Sequence, residues 1–173
     1  MSEIRGKITM KGHPLTLLGT PVEMGEMAPE FTVTNSNMED VKLSDYKGKT
    51  IILSVFPSID TPVCANQTRH FNKKAVELGK DVVVLAISKD LPFALNRFCA
   101  AEGIDRVHTL SDYKSSDFGL KYGFLIKELM LLSRGVVVID KRGKLVYAEY
   151  VNEITNEPDY KAALEAVRKH IGK

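Results

Sequence analysis

Apolar runs alternate along the chain with segments in which apolar residues recur at helical spacing. Continuous apolar runs occur at 51–56, 81–87 and 135–139. Such runs are typical of strands that are buried on both faces of a sheet. Amphipathic helices are predicted where apolar residues recur every three or four positions, at 62–79, 91–103 and 157–170. Asp90 can cap the second of these helices, and Pro158 is expected in the first turn of the third. This order of strands and helices predicts an α/β protein.

Shorter patterns complete the predicted architecture. Alternating residues at 7–10 and 14–18, joined by Lys11, Gly12 and His13, predict an N-terminal β-hairpin. Further short elements are predicted as strands at 31–34, 41–43, 107–110 and 144–151 and a brief helix at 115–123, whereas 125–132 fits either strand or loop. No low-complexity linker divides the chain, so we expect one domain over residues 1–173. Its expected fold is thioredoxin-like, a central mixed β-sheet flanked by helices, with the hairpin added at the N terminus.

The composition is that of an ordinary globular protein. Of the 173 residues, 44% are hydrophobic and 27% are charged, and the formal net charge is only +2. This near balance does not favour nucleic acid or a membrane surface as a partner. No apolar run approaches the roughly 20 residues of a membrane span. Residues 1–6 lack the apolar core of a signal peptide, so we expect a cytoplasmic protein.

The segment after the strand at 51–56 places a cysteine at the start of a helix. Pro62 suits the first helical position, because its missing N–H would have no partner there, and Thr61 can cap the same end. Cys64 then falls in the first turn, where the helix dipole and free N–H groups stabilise a thiolate. The thiolate is the nucleophilic form of cysteine, so this segment indicates a reactive cysteine. A small buried cysteine that only packs is the alternative at this point.

Other patterns do not favour metal, phosphate or hydrolytic chemistry. Cys64 and Cys99, the two cysteines, have neither C-x-x-C nor zinc-ligand spacing, and we expect no metal and no cofactor. The four histidines are dispersed, and the helical period turns His70 away from Cys64, which disfavours a cysteine–histidine hydrolase. The lack of C-x-x-C also disfavours a disulfide reductase of the thioredoxin type. In a reducing compartment, two cysteines favour a transient, catalytic disulfide over a permanent one.

Two cysteine-containing segments resemble the same protein family. The spacing of Pro57, Thr61 and Cys64 resembles the active-site signature of the peroxiredoxins. The segment 88–99, which ends at Cys99, is similar to the one around the resolving cysteine of bacterial thiol peroxidases, the atypical two-cysteine peroxiredoxins. The hairpin at 7–18, residues 132–134 and residues 153–160 are also similar to that subfamily, so that the resemblance extends from about Lys7 to Ile171.

The resemblance implies a role for each matching residue. Cys64 would be the peroxidatic nucleophile and Cys99 the resolving thiol. Thr61 would hydrogen-bond the thiolate and the peroxide oxygen, and Pro57 would shield the pocket from water. Arg134 would be the arginine of the pocket, where it favours the thiolate and stabilises charge that develops on oxygen.

The resemblance also implies a reaction and its partners. We expect a thiol-dependent peroxidase that reduces hydrogen peroxide and alkyl hydroperoxides through a Cys64 sulfenic acid and an intramolecular Cys64–Cys99 disulfide. Thioredoxin would reopen that disulfide, and a homodimer packed near the active site is expected. If the two cysteines start beyond bridging distance, the helical turns that carry them must loosen. The alternative from another functional class is a redox sensor that uses the same disulfide without turnover.

Overall fold

The computed structural model describes residues 2–171, so both predicted limits of the domain, residues 1 and 173, lie outside the described part. The strands are β1 (Glu3–Met10), β2 (His13–Leu18), β3 (Thr32–Thr34), β4 (Asp40–Lys42), β5 (Thr50–Val55), β6 (Val82–Ser88), β7 (Val107–Ser111), β8 (Leu125–Ile126), β9 (Gly135–Ile139) and β10 (Leu145–Tyr150). The helices are α1 (Pro62–Leu78), α2 (Pro92–Glu102), α3 (Asp117–Tyr122) and α4 (Tyr160–His170), and a short 3-10 helix covers Leu43–Tyr46.

Seven strands form one sheet in the order β10-β9-β5-β6-β7-β3-β4, and β1, β2 and β8 form a second sheet of three strands. The large sheet is mixed, because β5, β6 and β7 are parallel whereas β9 is antiparallel to β5. Every residue of β5 and β9 is buried, as their continuous apolar runs predict. The predicted thioredoxin-like fold with an added N-terminal hairpin is therefore confirmed.

The central strands contribute side chains to two hydrophobic cores, one on each face of the large sheet. In β5, Ile52 belongs to the core that includes Phe71 of α1 and Val167 of α4. Its neighbour Leu53 belongs to the opposite core, which includes Phe118 of α3. Successive side chains of a strand point to opposite faces, so this alternation fixes α1 against one face of β5. The N terminus of α1 is thereby held at the carboxyl end of that strand.

Two details of the predicted helix starts are wrong. Asp90 does not cap α2, because Leu91 holds the N-cap position and the Asp90 carboxylate binds elsewhere. Pro158 does not lie in the first turn of α4, because that helix begins only at Tyr160. There the side chain of Asp159 caps the helix by accepting a hydrogen bond from Ala162 N at 3.0 Å.

The ambiguous segment 125–132 contains a two-residue strand, β8, which extends the N-terminal hairpin. Leu125 and Ile126 pair with Leu18 and Leu17 of β2. The sequence pattern was ambiguous because two residues are too few to show a period. Their extended conformation depends on pairing with β2, which is distant in sequence. Among the described residues, none of the helices is long and apolar enough to cross a membrane.

Candidate active site

Cys64 lies in the first turn of α1, after the loop that follows β5. The strand ends at Val55, and Thr61 holds the N-cap position of the helix with an extended backbone (φ −104°, ψ 148°). Pro62 is therefore the first helical residue, as predicted. Cys64 is fully buried in the first turn, where the N–H groups of a helix have no intrahelical partner. The helix start thus supplies polar N–H groups close to a sulfur that water does not reach.

Arg134, immediately before β9, donates from all three of its side-chain nitrogens at this site. Its Nη2 donates to Cys64 Sγ at 3.2 Å, and its Nη1 donates to Gln67 Oε1 at 2.9 Å. Its Nε donates to the carbonyl oxygen of Ile154 at 2.8 Å. Arg134 is only 3% exposed, and a buried cation in contact with a cysteine favours the thiolate. The fold therefore brings together Cys64 and Arg134, two residues that the resemblance had singled out.

Gln67 is a buried polar residue of the site that the sequence analysis did not assign. Its Oε1 accepts from Arg134, while its Nε2 donates to Ser54 Oγ at 2.8 Å and to Val55 O at 3.2 Å. Gln67 thus connects the arginine to β5. It follows Cys64 by three positions, so both share one helix face. A polar residue on a buried helix face needs a partner, and this was the signal that could have found it.

Thr61 and Pro57 flank Cys64 in sequence. The predicted side-chain cap by Thr61 is wrong, because its hydroxyl donates to Ser58 O at 2.8 Å and caps no N–H group of the helix. A hydroxyl has a single hydrogen to donate, so in this conformation Thr61 does not donate to Cys64 Sγ. Pro57 is buried. The roles of Thr61 toward thiolate and peroxide, and of Pro57 in excluding water, stay predictions.

Asp90 joins the loop before α1 to the loop before α2. Its carboxylate accepts hydrogen bonds from Ser58 Oγ at 2.9 Å and from Ile59 N at 2.8 Å. It also accepts from Ser88 Oγ, at the end of β6, at 2.6 Å. One carboxylate therefore holds the segment that leads to Cys64 against the segment that leads to the helix of Cys99.

Cys99 is half-buried on α2. Its Sγ lies 3.9 Å from Thr109 Oγ1 of β7, a distance for a weak hydrogen bond. Burial raises the pKa of the Cys99 thiol, and the contact with Thr109 opposes this only in part. A cavity of about 340 Å³ reaches Cys99 and is also lined by Asn96 and His108. The Cys99 thiol thus borders this cavity.

The structure does not bring the two cysteines together, and both are free thiols. Cys64 contacts Arg134 beside β9, whereas Cys99 contacts Thr109 of β7, and β5 and β6 lie between those two strands. Arg134 and Thr109 thus lie at strands that are not neighbours in the sheet. A disulfide requires Cα atoms within about 7 Å. Because both thiols are unpaired in this structure and have different partners, a bond between them needs a local rearrangement.

Neither a cysteine–histidine pair nor a metal cluster is found beside Cys64 among residues 2–171. His70 stacks on Tyr160 with ring centroids 3.9 Å apart, and burial lowers the pKa of its imidazole. The imidazole thus packs on an aromatic ring instead of serving Cys64 as a base. In the same residues, no group of three or more His, Cys, Asp and Glu side chains is placed to hold a metal ion.

Comparison with known proteins identifies close relatives. Residues 23–164 match the redoxin family. The chain is 54% identical over 162 residues to a thiol peroxidase of Bacillus subtilis, a match that covers 94% of this chain and 96% of that protein. It is 53% identical over 162 residues to a thiol peroxidase of Oceanobacillus iheyensis, with 94% and 98% covered.

Solved structures extend the comparison to the fold. A peroxiredoxin-like protein from Aquifex aeolicus superposes with a TM-score of 0.89 at 36% identity, over 96% of this chain and 99% of that one. A thiol peroxidase from Chromobacterium violaceum shares the fold, with a TM-score of 0.83 at 18% identity over 94% and 95% of the two chains. Because the sequence relatives match over nearly their whole length and the site contains a buried cysteine held by an arginine, we conclude that the chain belongs to the thiol peroxidase family of redoxins.

Proposed function

We propose that this thiol-dependent peroxidase uses Cys64 as the nucleophile that attacks hydroperoxides. The observation that carries the proposal is the 3.2 Å contact between Arg134 Nη2 and Cys64 Sγ. The contact lies in a buried site at a helix N terminus, so two sources of positive potential act on one sulfur. Membership of the family supports the activity, and the contact supports the choice of sulfur.

The first step is displacement at oxygen. The Cys64 thiolate attacks the terminal oxygen of the hydroperoxide, an S–O bond forms as the O–O bond breaks, and Cys64 becomes a sulfenic acid. Negative charge develops on the leaving oxygen, which departs as alkoxide or hydroxide and takes a proton from water. Arg134 is already fixed by Gln67 and Ile154, so it can stabilise this charge without reorganising.

Thr61 and Pro57 contribute to the same step in this proposal. The hydroxyl of Thr61, exposed at the helix start, turns from Ser58 O toward the bound peroxide. Pro57 is buried and has no N–H to hydrate, so it limits water near the sulfur. Exclusion of water by itself disfavours a thiolate, so Arg134 and the helix N–H groups must outweigh it.

Cys99 then acts as the resolving thiol. Its sulfur attacks the sulfenic sulfur of Cys64, an S–S bond forms, and water leaves with the sulfenic oxygen and the thiol proton. Because the two cysteines are unpaired and have different partners, the first turn of α1 and part of α2 must open for this step. Opening breaks the bonds from Ser58 and Ile59 to Asp90, and it relieves the burial that raises the pKa of Cys99.

A dithiol must reopen the disulfide, and we propose thioredoxin in that role. Attack by a thiol on the disulfide, with release of one cysteine and then the other, returns the chain to the two free thiols seen here. A reversible pair of this kind fits a reducing compartment, which supports a cytoplasmic location.

We also propose a homodimer that packs beside the active site. Leu91 and Phe93 are 52% and 65% exposed, and they adjoin Asp90, whose carboxylate holds the loop before Cys64. Exposed apolar residues grouped next to a functional loop favour a protein contact. Light scattering at micromolar concentration should give twice the mass of the chain, and a purely monomeric protein would contradict the dimer.

Mass spectrometry of the reduced protein after one equivalent of cumene hydroperoxide tests the assignment of both cysteines. The wild type should lose two hydrogens and contain a Cys64–Cys99 bridge, whereas Cys99→Ser should stop at a sulfenic acid on Cys64. An unmodified Cys64 would refute the proposal. Repeated peroxide consumption with thioredoxin separates the enzyme from a sensor, because a sensor would be oxidised once and then stop.

A further inference from the structure

The carboxylate of Glu153 is the centre of a hydrogen-bond cluster between the N-terminal hairpin and the segment after β10. In the turn of the hairpin, Gly12 N donates to Glu153 Oε1 at 2.9 Å and Lys11 N donates to Glu153 Oε2 at 3.0 Å. Both residues have positive φ, 51° for Lys11 and 81° for Gly12, as a tight two-residue hairpin turn requires. Thr9 Oγ1 is a third donor to this carboxylate and binds Glu153 Oε1 at 2.8 Å.

The same carboxylate holds the peptide group that binds Arg134. Thr155 N donates to Glu153 Oε2 at 3.1 Å. That N–H belongs to the peptide unit whose carbonyl, the oxygen of Ile154, accepts from Arg134 Nε at 2.8 Å. A peptide unit is planar and usually trans, so fixing its N–H also fixes the direction of its C=O. A peptide that donates to an anion is moreover polarised toward being a better acceptor.

The backbone of the hairpin reinforces this arrangement. Thr9 N donates to Asn152 O at 2.7 Å, and Ile154 N donates to Thr9 O at 2.9 Å. β1 therefore pairs with residues 152–154 as a short parallel bridge. A continuous path of hydrogen bonds thus leads from the turn of the hairpin through Glu153 and Ile154 to Arg134 and on to Cys64 Sγ.

We propose that Glu153 is a positioning residue for Arg134, and that the N-terminal hairpin holds the guanidinium in contact with the Cys64 sulfur through the peptide between Ile154 and Thr155. The inference rests on the proposed role of Cys64 as nucleophile. It gives the hairpin, which lies outside the seven-stranded sheet, a part in tuning the reactivity of that cysteine.

A carboxylate is required because all of its partners are donors. The hydrogen bonds from Gly12, Thr155 and Lys11 lower the pKa of Glu153, which favours its ionised form. In Glu153→Gln, the amide would turn N–H groups toward backbone N–H groups on at least one side. The peptide of Ile154 would then lose its fixed direction, and the shortest hydrogen bond of Arg134, to Ile154 O, would be weakened.

Glu128 provides a matched control on the same hairpin. Its carboxylate accepts from Thr16 N and Thr16 Oγ1 of β2, both at 2.8 Å. Glu128→Gln therefore removes a second carboxylate that binds the hairpin, at residues outside the path to Arg134. A purely structural role of the hairpin would affect both variants alike.

The test compares both variants in the full-length chain with Cys99→Ser, so that Cys64 is the one thiol that can react. The rate constant for oxidation by cumene hydroperoxide is measured from pH 5 to pH 9. Glu153→Gln should lower the maximum rate constant about 10-fold, as the loss of a residue that orients an active-site group through a hydrogen bond does at other sites. It should also move the rise of the rate with pH to higher pH, because a displaced Arg134 favours the thiolate less. Glu128→Gln should do neither.

Equal pH profiles for the two variants would overturn the proposal. Should Glu153→Gln fail to fold, Thr155→Val removes the bond from Thr155 Oγ1 to Glu153 Oε2, 2.7 Å long, and should shift the profile by a smaller amount in the same direction. An unshifted Thr155→Val would then count against the role of Glu153. Peroxide consumption that persists in Cys64→Ser would contradict the proposed role of Cys64 as nucleophile. That result is distinguishable from the pH profiles, which test only the role of Glu153.

Discussion

Arg134 Nη2 and Cys64 Sγ are 3.2 Å apart, although the two residues are 70 positions apart in sequence. The contact exists because β9 lies antiparallel beside β5, which places the residue before β9 next to the residues after β5. Gln67 and Ile154 bind the other two nitrogens of the guanidinium from α1 and from the segment after β10. The arginine therefore approaches the sulfur in one orientation.

Arg134→Lys should slow the oxidation of Cys64 by roughly 100-fold, the usual cost of losing one donor at a developing oxyanion. Lysine keeps the charge, but its single ammonium cannot bind Gln67, Ile154 and the sulfur in the planar geometry of a guanidinium. Stopped-flow measurement with cumene hydroperoxide checks this prediction. Arg142→Lys, at an exposed residue of a surface turn, is the control and should react like the wild type. Equal rates for the two variants would show that orientation is unimportant.

Gln67→Leu should lower the free energy of unfolding by about 1–3 kcal/mol, because Arg134 Nη1 loses a buried acceptor and its neighbours stay buried. The peroxide rate should fall as well, since the guanidinium is then held from one side only. Urea denaturation and stopped-flow kinetics measure the two effects. Lys73→Gln, at an exposed position of the same helix and between residues of similar helix propensity, should change neither. Loss of stability with an unchanged rate would limit Gln67 to packing.

Asp90→Asn should loosen the loop before Cys64, because an amide offers one acceptor oxygen where the carboxylate offers two to Ser58, Ile59 and Ser88. Hydrogen exchange of residues 58–64 should become faster, and the disulfide should form sooner after the sulfenic acid. Asp60→Asn is the control, since Asp60 is exposed and only faces Arg97 at 3.8 Å. Unchanged exchange in Asp90→Asn would mean that other contacts restrain the loop.

The buried carboxyl of Asp112 should make the free energy of unfolding decrease as the pH rises from about 4 to about 6. Burial raises the pKa of its carboxyl from 3.8 to about 6, although the backbone N–H groups of Gly119 and Phe118 oppose the shift. The folded chain then holds a proton that the unfolded chain releases, so this stabilising contribution is complete below pH 3.8 and is lost as the pH passes about 6. The loss is at most about 3 kcal/mol, the equivalent of two pKa units.

Unfolding free energies of the wild type and of Asp112→Asn, measured in urea at several pH values, check the effect. Asparagine does not titrate. The unfolding free energy of the wild type should therefore fall relative to that of Asp112→Asn as the pH rises from 4 to 7. A difference that does not vary with pH would mean that Asp112 titrates normally.

Local pattern was sufficient for most of the fold. The buried strands β5, β6 and β9 follow from continuous apolar runs, and α1 follows from helical spacing behind Pro62. These signals are local, because burial on both faces or on one helix face leaves a period in the sequence itself. The position of Cys64 in the first turn was predictable for the same reason.

Helix boundaries and side-chain caps were less predictable. Asp90 was expected to cap α2 and Thr61 to cap α1, since both residue types favour that position. In the fold, the Asp90 carboxylate is satisfied by Ser58, Ile59 and Ser88, and Thr61 donates to Ser58 O. For Asp90, Ser58 and Ile59 on the loop before α1 thus replaced the N–H groups of its own helix, and a local pattern does not report which loop is near. Thr61 instead bound a carbonyl oxygen three residues earlier, which the residue preference for the cap position does not predict.

The sequence by itself determined the elements, the helix start that presents Cys64 and, through family resemblance, the candidate residues. The tertiary structure decided how Arg134 reaches the sulfur, that Gln67 holds the guanidinium and that Cys99 contacts Thr109 instead of Cys64. It also joined the hairpin to Arg134 through Glu153. These relations depend on strand order and register, which bring together side chains distant in sequence, and no periodicity along the chain encodes those distances.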